Sequence, residues 1–200
     1  MEKEHGIEIC GFCVNKKYLE SNSFFGKPLY AFEELNLFFS RQSFEIIIAV
    51  GYKGMNRTRE MIFHDCDEYG YDIGSYIQPG IRFEPETIGR GNIIADESRI
   101  FPFARIGDGN IIVNSVVSHD CNVGNFNFIS SANIGGCSQI GNNCFVGIGA
   151  NIGDHVHVGD VSLIGSGSFV SSDIDSCSIV SPSTPRVVRA REDIIGRMFR

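Results

Sequence analysis

The sequence predicts a small α/β domain followed by a parallel β-helix. Three observations carry that prediction. First, an aliphatic residue returns every sixth position, as Ile134-Gly135, Ile140-Gly141, Val146-Gly147, Ile152-Gly153, Val158-Gly159, Ile164-Gly165 and Val170-Ser171, without a slip. A period of six is neither the 3.6 of a helix nor the 2.0 of a half-buried strand, so it reports a coil built from short flat faces. Second, the fifth residue of the units is mostly small: Ser98, Ala104, Ser138, Cys144, Ala150, Ser162 and Ser168. Small inward residues let three faces close about a narrow axis. Third, residues 1–78 lack the repeat and instead alternate apolar runs with amphipathic stretches, the pattern of strands and helices in α/β layers.

Taken in order, Ile7–Val14 reads as a short strand, and Phe32–Phe39 as an amphipathic helix after the loop Gly26-Lys27-Pro28. Phe44–Val50 is a nearly unbroken apolar run, as a parallel strand covered on both faces requires. The loop Gly51–Gly54 follows at its carboxyl end. Asn56–Tyr69 is a helix with Met61, Ile62, Cys66 and Tyr69 at helical spacing. Ile73–Ile77 is a third strand, giving a small doubly wound, Rossmann-like sheet. Pro79-Gly80 breaks the pattern, and the coil occupies residues 79–182. Its early starts are Ile88, Ile94, Ile100, Ile106 and Ile112, and the step shortens to five at Ile112–Val117 and Ile129–Ile134. Three units per turn give about five turns, stacked at roughly 4.8 Å. Residues 183–200 form an Arg-rich tail.

Composition narrows the partners. A formal charge of −7 without a basic tract argues against nucleic acid. No apolar run reaches the length of a membrane span, and no apolar segment follows the charged start as a signal peptide needs. An odd count of seven cysteines in strand-like text suggests reduced thiols and a cytoplasmic location. Arg186, Arg189, Arg191, Arg197 and Arg200 make a local cationic tail suited to a small phosphorylated ligand or, equally, a solvated helix.

The shortened steps bracket Ser118-His119-Asp120-Cys121-Asn122-Val123-Gly124. A histidine beside a carboxylate is a candidate general base, because the residue type titrates near neutrality and a carboxylate orients the ring. A surface His-Asp pair in a turn is the alternative on the residues alone. Cys10-Gly11-Phe12-Cys13 is a lone CxxC inside an apolar strand, without the partner pair a zinc site needs, and no metal is expected. His155 and His157 alternate on a strand and point outward.

The stretch Asn114–Gly124, followed by Gly135-Gly136-Cys137-Ser138-Gln139-Ile140-Gly141, resembles the bacterial hexapeptide-repeat sugar acetyltransferases. The similarity is to the sialic acid O-acetyltransferase and UDP-4-amino-sugar N-acetyltransferase types. The resemblance implies a left-handed β-helix, a homotrimer, acetyl-CoA as acyl donor and a nucleotide-linked sugar as acceptor. By the same resemblance His119 is the general base and Asp120 the acidic neighbour that raises its basicity. Gly136 is the glycine whose N–H meets the acetyl carbonyl. Ile148, Ser166 and Gly167 contact pantetheine, and Arg186, in Thr184-Pro185-Arg186, meets CoA phosphates. Gly51 and Lys53, at the carboxyl end of the central strand, stand where an open α/β sheet binds a ligand, with Lys53 facing a pyrophosphate or, equally, solvent; Asn15 stands where relatives often place an acidic residue. Relatives begin with a strand, a Gly-rich loop and a helix that this text lacks, so the N-terminal domain reads as shortened. Phe128 stands where the family has a second position for histidine. A three-histidine hydratase of the same coil, and a non-catalytic scaffold, are the competing readings.

Overall fold

A computed structural model describes residues 8–40 and 43–183. The expected tail, Arg186 included, lies outside the described residues apart from its first position.

The coil is built as the repeat dictates. Three parallel faces stack one strand per turn. The first face runs Tyr76–Ile77, Ile93–Ala95, Ile111–Val113, Phe128–Ser130, Phe145–Val146, Leu163–Ile164 and Ile179–Val180. The second runs Arg99–Ile100, Val116–Val117, Asn133–Ile134, Asn151–Ile152 and Phe169–Val170. The third runs Thr87–Ile88, Arg105–Ile106, Asn122–Val123, Gln139–Ile140 and His157–Val158. All pairings within these faces are parallel, and the arrangement fits a left-handed β-helix. Each aliphatic start points inward: Ile94, Ile112, Ile129, Val146 and Ile164 are all fully buried on the first face. Each such burial is worth about 1.5–3 kcal/mol. The small fifth residues fill the interior as expected. Ser98 Oγ donates to the Ala95 carbonyl at 2.6 Å, and Ser138 Oγ to that of Gly153 at 2.7 Å, so burying these hydroxyls leaves no lone donor.

The two shortened steps are one structural event. Asn114 (φ 48°) and Ser131 (φ 49°) are left-handed corner residues on successive turns, between the first and second faces. The Ser131 N–H donates to the Val113 carbonyl at 2.9 Å, and Asn114 Nδ2 to Ser131 Oγ at 3.0 Å. Both corners tighten together, so the faces stay in register. They therefore do not interrupt the corner that carries His119, which lies one face further on.

A ladder of asparagines runs up the interior at the corner between the third and first faces. The Asn110 N–H donates to Asn92 Oδ1 at 2.8 Å, that of Asn127 to Asn110 Oδ1 at 2.9 Å, and that of Cys144 to Asn127 Oδ1 at 2.7 Å. Side-chain amides there satisfy backbone donors that a corner turns away from the sheet.

The N-terminal elements differ from the sequence reading. β1 (Phe12–Val14) pairs in parallel with β3 (Lys27–Ala31), which continues antiparallel to β2 (Ser23–Phe24). Gly26–Pro28, read as a loop, thus enters a strand. Phe32–Leu37 is a 3-10 turn rather than an α-helix. Of the apolar run 44–50 only Glu45–Ile46 (β4) forms ladder pairs, with β5 (Asp72–Ile73). The expected third strand is split, since Tyr76–Ile77 joins the coil. Among the described residues no strand links β1 to residues 46–50. Cavities of about 280 and 350 Å³ lie between them, sharing Cys13, Val14, Ile46, Ile47, Ala49 and Val50 as walls. The described residues before the coil thus form two small sheets rather than one continuous doubly wound sheet.

Helix α1 (Arg57–Tyr69) starts at Asn56 and ends at Gly70, whose φ of 70° is the left-handed stop glycine supplies. Of the apolar positions expected, Cys66 is buried and Ile62 half-buried, whereas Met61 and Tyr69 are exposed; Arg59 and Phe63 complete the buried face. The coil decides this. Phe63 packs edge-on against Phe126 at 5.3 Å, Asn56 Nδ2 donates to the Cys144 carbonyl at 3.0 Å, and Asn143 Nδ2 donates to Glu60 at 3.0 Å. Tyr52 caps the stacked pair Phe128–Phe145 on the first face. The N-terminal unit therefore sits on the first face and its junction with the third.

Candidate active site

His119 occupies the corner between the second and third faces, the vertex opposite the face that the N-terminal unit covers. Four turns contribute a left-handed residue to this corner, stacked as Phe103, Asp120, Cys137 and His155, with φ of 64°, 56°, 59° and 60°. Backbone bonds tie successive turns together. The Asp120 N–H donates to the Pro102 carbonyl at 3.2 Å, that of Cys137 to His119 at 3.0 Å, and that of His155 to Gly136 at 2.9 Å. The corner is thus a rigid mount for exposed side chains.

His119 Nδ1 lies 2.9 Å from Asp120 Oδ2. An ionised carboxylate only accepts, so in the neutral ring Nδ1 donates and Nε2 keeps its lone pair. That nitrogen hangs over Gly136: a Cβ built there would lie 2.8 Å from Nε2 and 2.9 Å from Cε1. Only a residue without a side chain leaves the ring this place. The His119 and Asp120 side chains are 58% and 53% exposed, so the pair is open to a ligand on one side.

Gly136 differs from the sequence expectation in one respect. Its N–H donates to Asp154 Oδ1 at 2.7 Å and so is already engaged. Asp154 lies one turn above and repeats a device used at another corner. There the N–H groups of Arg90, Asp108, Asn125 and Asn142 donate in succession to Asp108, Asn125, Asn142 and Asp160. Sequence reading missed Asp154, although the spacing of Asx residues at 17 or 18 carries the signal. It also left Cys137, half-buried beside His119, as a plain corner residue.

The remaining expected site residues fall elsewhere on the chain. Ile148, Ser166 and Gly167 lie together on two successive turns of the corner between the first and second faces. The Gly167 N–H (φ 72°) donates to the Ile148 carbonyl at 2.8 Å, and Ile148 is 63% exposed. One whole face separates them from His119. Asn15 lines the 280 Å³ cavity with Thr58 and Asp65, and Glu33, Asp65 and Glu68 crowd its neighbouring rim. Gly51 and Lys53 are exposed in the loop beside Tyr52 and line neither cavity. His155 and His157 point outward as expected.

Buried thiols hold their protons. Burial pushes Cys66 up to about 12, and Cys13, Cys121 and Cys144 to about 11. No helix among the described residues is long and apolar enough to cross a membrane.

Comparison with solved structures places this geometry. The acetyltransferase domain of PglB from Neisseria gonorrhoeae superposes with a TM-score of 0.74 at 26% identity, over 88% of this chain and 86% of that one. That neighbour is an acetyltransferase domain. The same PglB domain in complex with acetyl coenzyme A gives 0.72 at 26% identity, covering 83% and 82%. PerB from Caulobacter crescentus, in complex with CoA and GDP-perosamine, gives 0.72 at 23% identity over 79% and 77%, a likeness of fold. No family model matches the sequence.

Proposed function

We propose that this chain transfers an acetyl group from acetyl-CoA directly to an amino or hydroxyl group of a nucleotide-activated sugar. The single observation that carries this reading is the pair His119–Asp120 with Nε2 held over a side-chain-free Gly136. In the reading, Nε2 takes the proton as the sugar nucleophile attacks the thioester carbonyl. Asp120 stabilises the imidazolium, which returns the proton to the departing CoA thiolate. Gly136 supplies the space in which thioester and ring meet, and its amide serves the acetyl oxygen once the Asp154 carboxylate swings away. The PglB and PerB complexes support acetyl-CoA or CoA as ligand, and PerB supports a nucleotide sugar.

The reading includes a homotrimer, because one chain does not bring its parts together. The candidate CoA contacts Ile148, Ser166 and Gly167 sit on a different vertex from His119. A neighbouring copy closing a groove against the second face joins the two vertices. The domain division is residues 1–78 for the nucleotide sugar, 79–182 for acyl transfer and 183–200 as tail, with Tyr76–Ile77, the strand that joins the coil, marking the boundary. In this division Asn15, Gly51 and Lys53 face the sugar nucleotide and Arg186 the CoA phosphates. The carboxylates around Asn15 repel phosphate, so they suit ribose or sugar hydroxyls, with Lys53 left for the pyrophosphate. A cytoplasmic location fits the free thiols.

The test is consumption of acetyl-CoA with a panel of nucleotide-linked amino sugars. His119→Ala is expected to lower kcat by about 10²–10⁴. A loss of only a few-fold, in folded protein, would remove the base assignment.

A further inference from the structure

We infer that the His119 corner is also an inhibitory site for a soft divalent cation of the zinc class, held by His119, Asp120 and Cys137. One imidazole nitrogen, one carboxylate oxygen and the Cys137 sulfur lie within 4.8 Å of one another. Zinc binds sulfur at about 2.3 Å and nitrogen or oxygen at about 2.0–2.2 Å, so neighbouring ligands of one tetrahedral ion stand roughly 3.3–3.7 Å apart. His119 Nδ1 and the Asp120 oxygen, at 2.9 Å, part slightly, the Cys137 sulfur comes in by at most about 1.5 Å, and the His119 and Asp120 side chains are more than half exposed, with freedom to turn. The backbone is preset: the Cys137 N–H donates to the His119 carbonyl at 3.0 Å, and Asp120 and Cys137 share the left-handed conformation on successive turns. An imidazole, a carboxylate and a thiolate form a mixed set that suits zinc, cobalt(II) or cadmium rather than magnesium or calcium.

The proton balance fixes the consequence. Binding releases one proton, from the Cys137 thiol; the carboxylate is already ionised, and the complex of M²⁺ with two anions is neutral. If the ion takes Nε2, it occupies the basic nitrogen itself. If it takes Nδ1, the ring proton moves to Nε2, which turns from acceptor to donor. Either way the ring no longer accepts a proton from a nucleophile. The fourth coordination position is open to water. The site is thus a reversible brake, and that part rests on the transferase reading, whereas the binding itself does not.

Two measurements separate them. Cobalt(II) titrated into the reduced full chain is expected to give visible d–d bands of a tetrahedral centre and a near-ultraviolet sulfur-to-cobalt charge-transfer band. Cys137→Ser removes the charge-transfer band, and His119→Ala weakens binding at least tenfold. In the acetyl-transfer assay, micromolar zinc inhibits and excess EDTA restores the rate. Cys137→Ser keeps the basal rate but requires at least tenfold more zinc for half inhibition. A charge-transfer band that survives in Cys137→Ser, as binding at Cys10 and Cys13 would give, overturns the proposal. So does equal zinc sensitivity of wild type and Cys137→Ser. Cobalt binding of the expected kind in a protein that acetylates no acceptor upholds the metal site and removes the transferase reading instead.

Discussion

Replacing Gly136 with alanine tests the site through a single methyl group. Ordinary contact to a Cβ begins near 3.4 Å, and the new atom would stand 2.8 Å from His119 Nε2. The overlap of about 0.6 Å falls on the ring rather than on backbone. Gly136 has no left-handed φ, so the main chain accepts alanine without strain. The exposed ring yields by rotating outward, away from Asp120, and stability changes by less than about 1 kcal/mol. Displacement on this scale costs about 10²-fold where a reacting group must be positioned, or about 2.7 kcal/mol of barrier. The assay is kcat for acetyl transfer, with urea unfolding as control. The same change in a His119→Ala background is expected to cost almost nothing, because the methyl then has no ring to displace; the coupling energy should approach the full single-variant effect. A Gly136→Ala enzyme within threefold of wild type would refute the reasoning. An undiminished loss in the His119→Ala background would show that Gly136 acts by its own amide.

Four further outcomes follow from the packing and the corner chemistry. Ile129→Ala, at a fully buried inward position, should cost about 2–5 kcal/mol in urea unfolding. Arg59 is fully buried, its Nε and Nη1 have no partner among the described residues, and burial lowers its pKa to about 10. Arg59→Met should therefore be neutral or stabilise by about 1–2 kcal/mol in the same measurement; a loss above about 2 kcal/mol would show a hidden partner. The thiols of Cys13, Cys66, Cys121 and Cys144 are raised from 9.0 to about 11–12 by burial. The unfolded chain therefore loses these protons first, and stability, complete below pH 9, should fall as pH rises from 9 toward 11–12. Unfolding free energies that stay level from pH 8 to 10.5 would contradict that assignment. A short maleimide pulse at pH 7 should label exposed Cys10 and Cys177 well before buried Cys66, Cys121 and Cys144, read by peptide mass spectrometry.

The β-helix was legible because its signal is one-dimensional. From Ile94 to Val170 each Ile or Val at period six points inward, and the fifth residue is mostly small, whatever the rest of the chain does. The exterior was harder. The apolar run 44–50 looked like a central strand, yet residues 47–50 make no ladder in the described structure, because pairing depends on which neighbours stand beside them. In α1 the buried face was chosen by contact with Phe126, Cys144 and Asn143, residues over 60 positions away in the chain. His119–Asp120 was visible as adjacent letters. That Nε2 rests on Gly136, that Asp154 holds the Gly136 amide, and that Cys137 stands beside both were not, since turns of 17 or 18 residues had first to be aligned.

The residue order alone thus determined a coil with an aliphatic interior and an imidazole beside a carboxylate on its surface, because burial of a repeating side chain is a local and additive demand. Only the folded arrangement decided which vertex carries that pair, which vertex carries the proposed CoA contacts, and which face the N-terminal unit covers. Those are relations between turns, fixed by hydrogen bonds and packing across the stack.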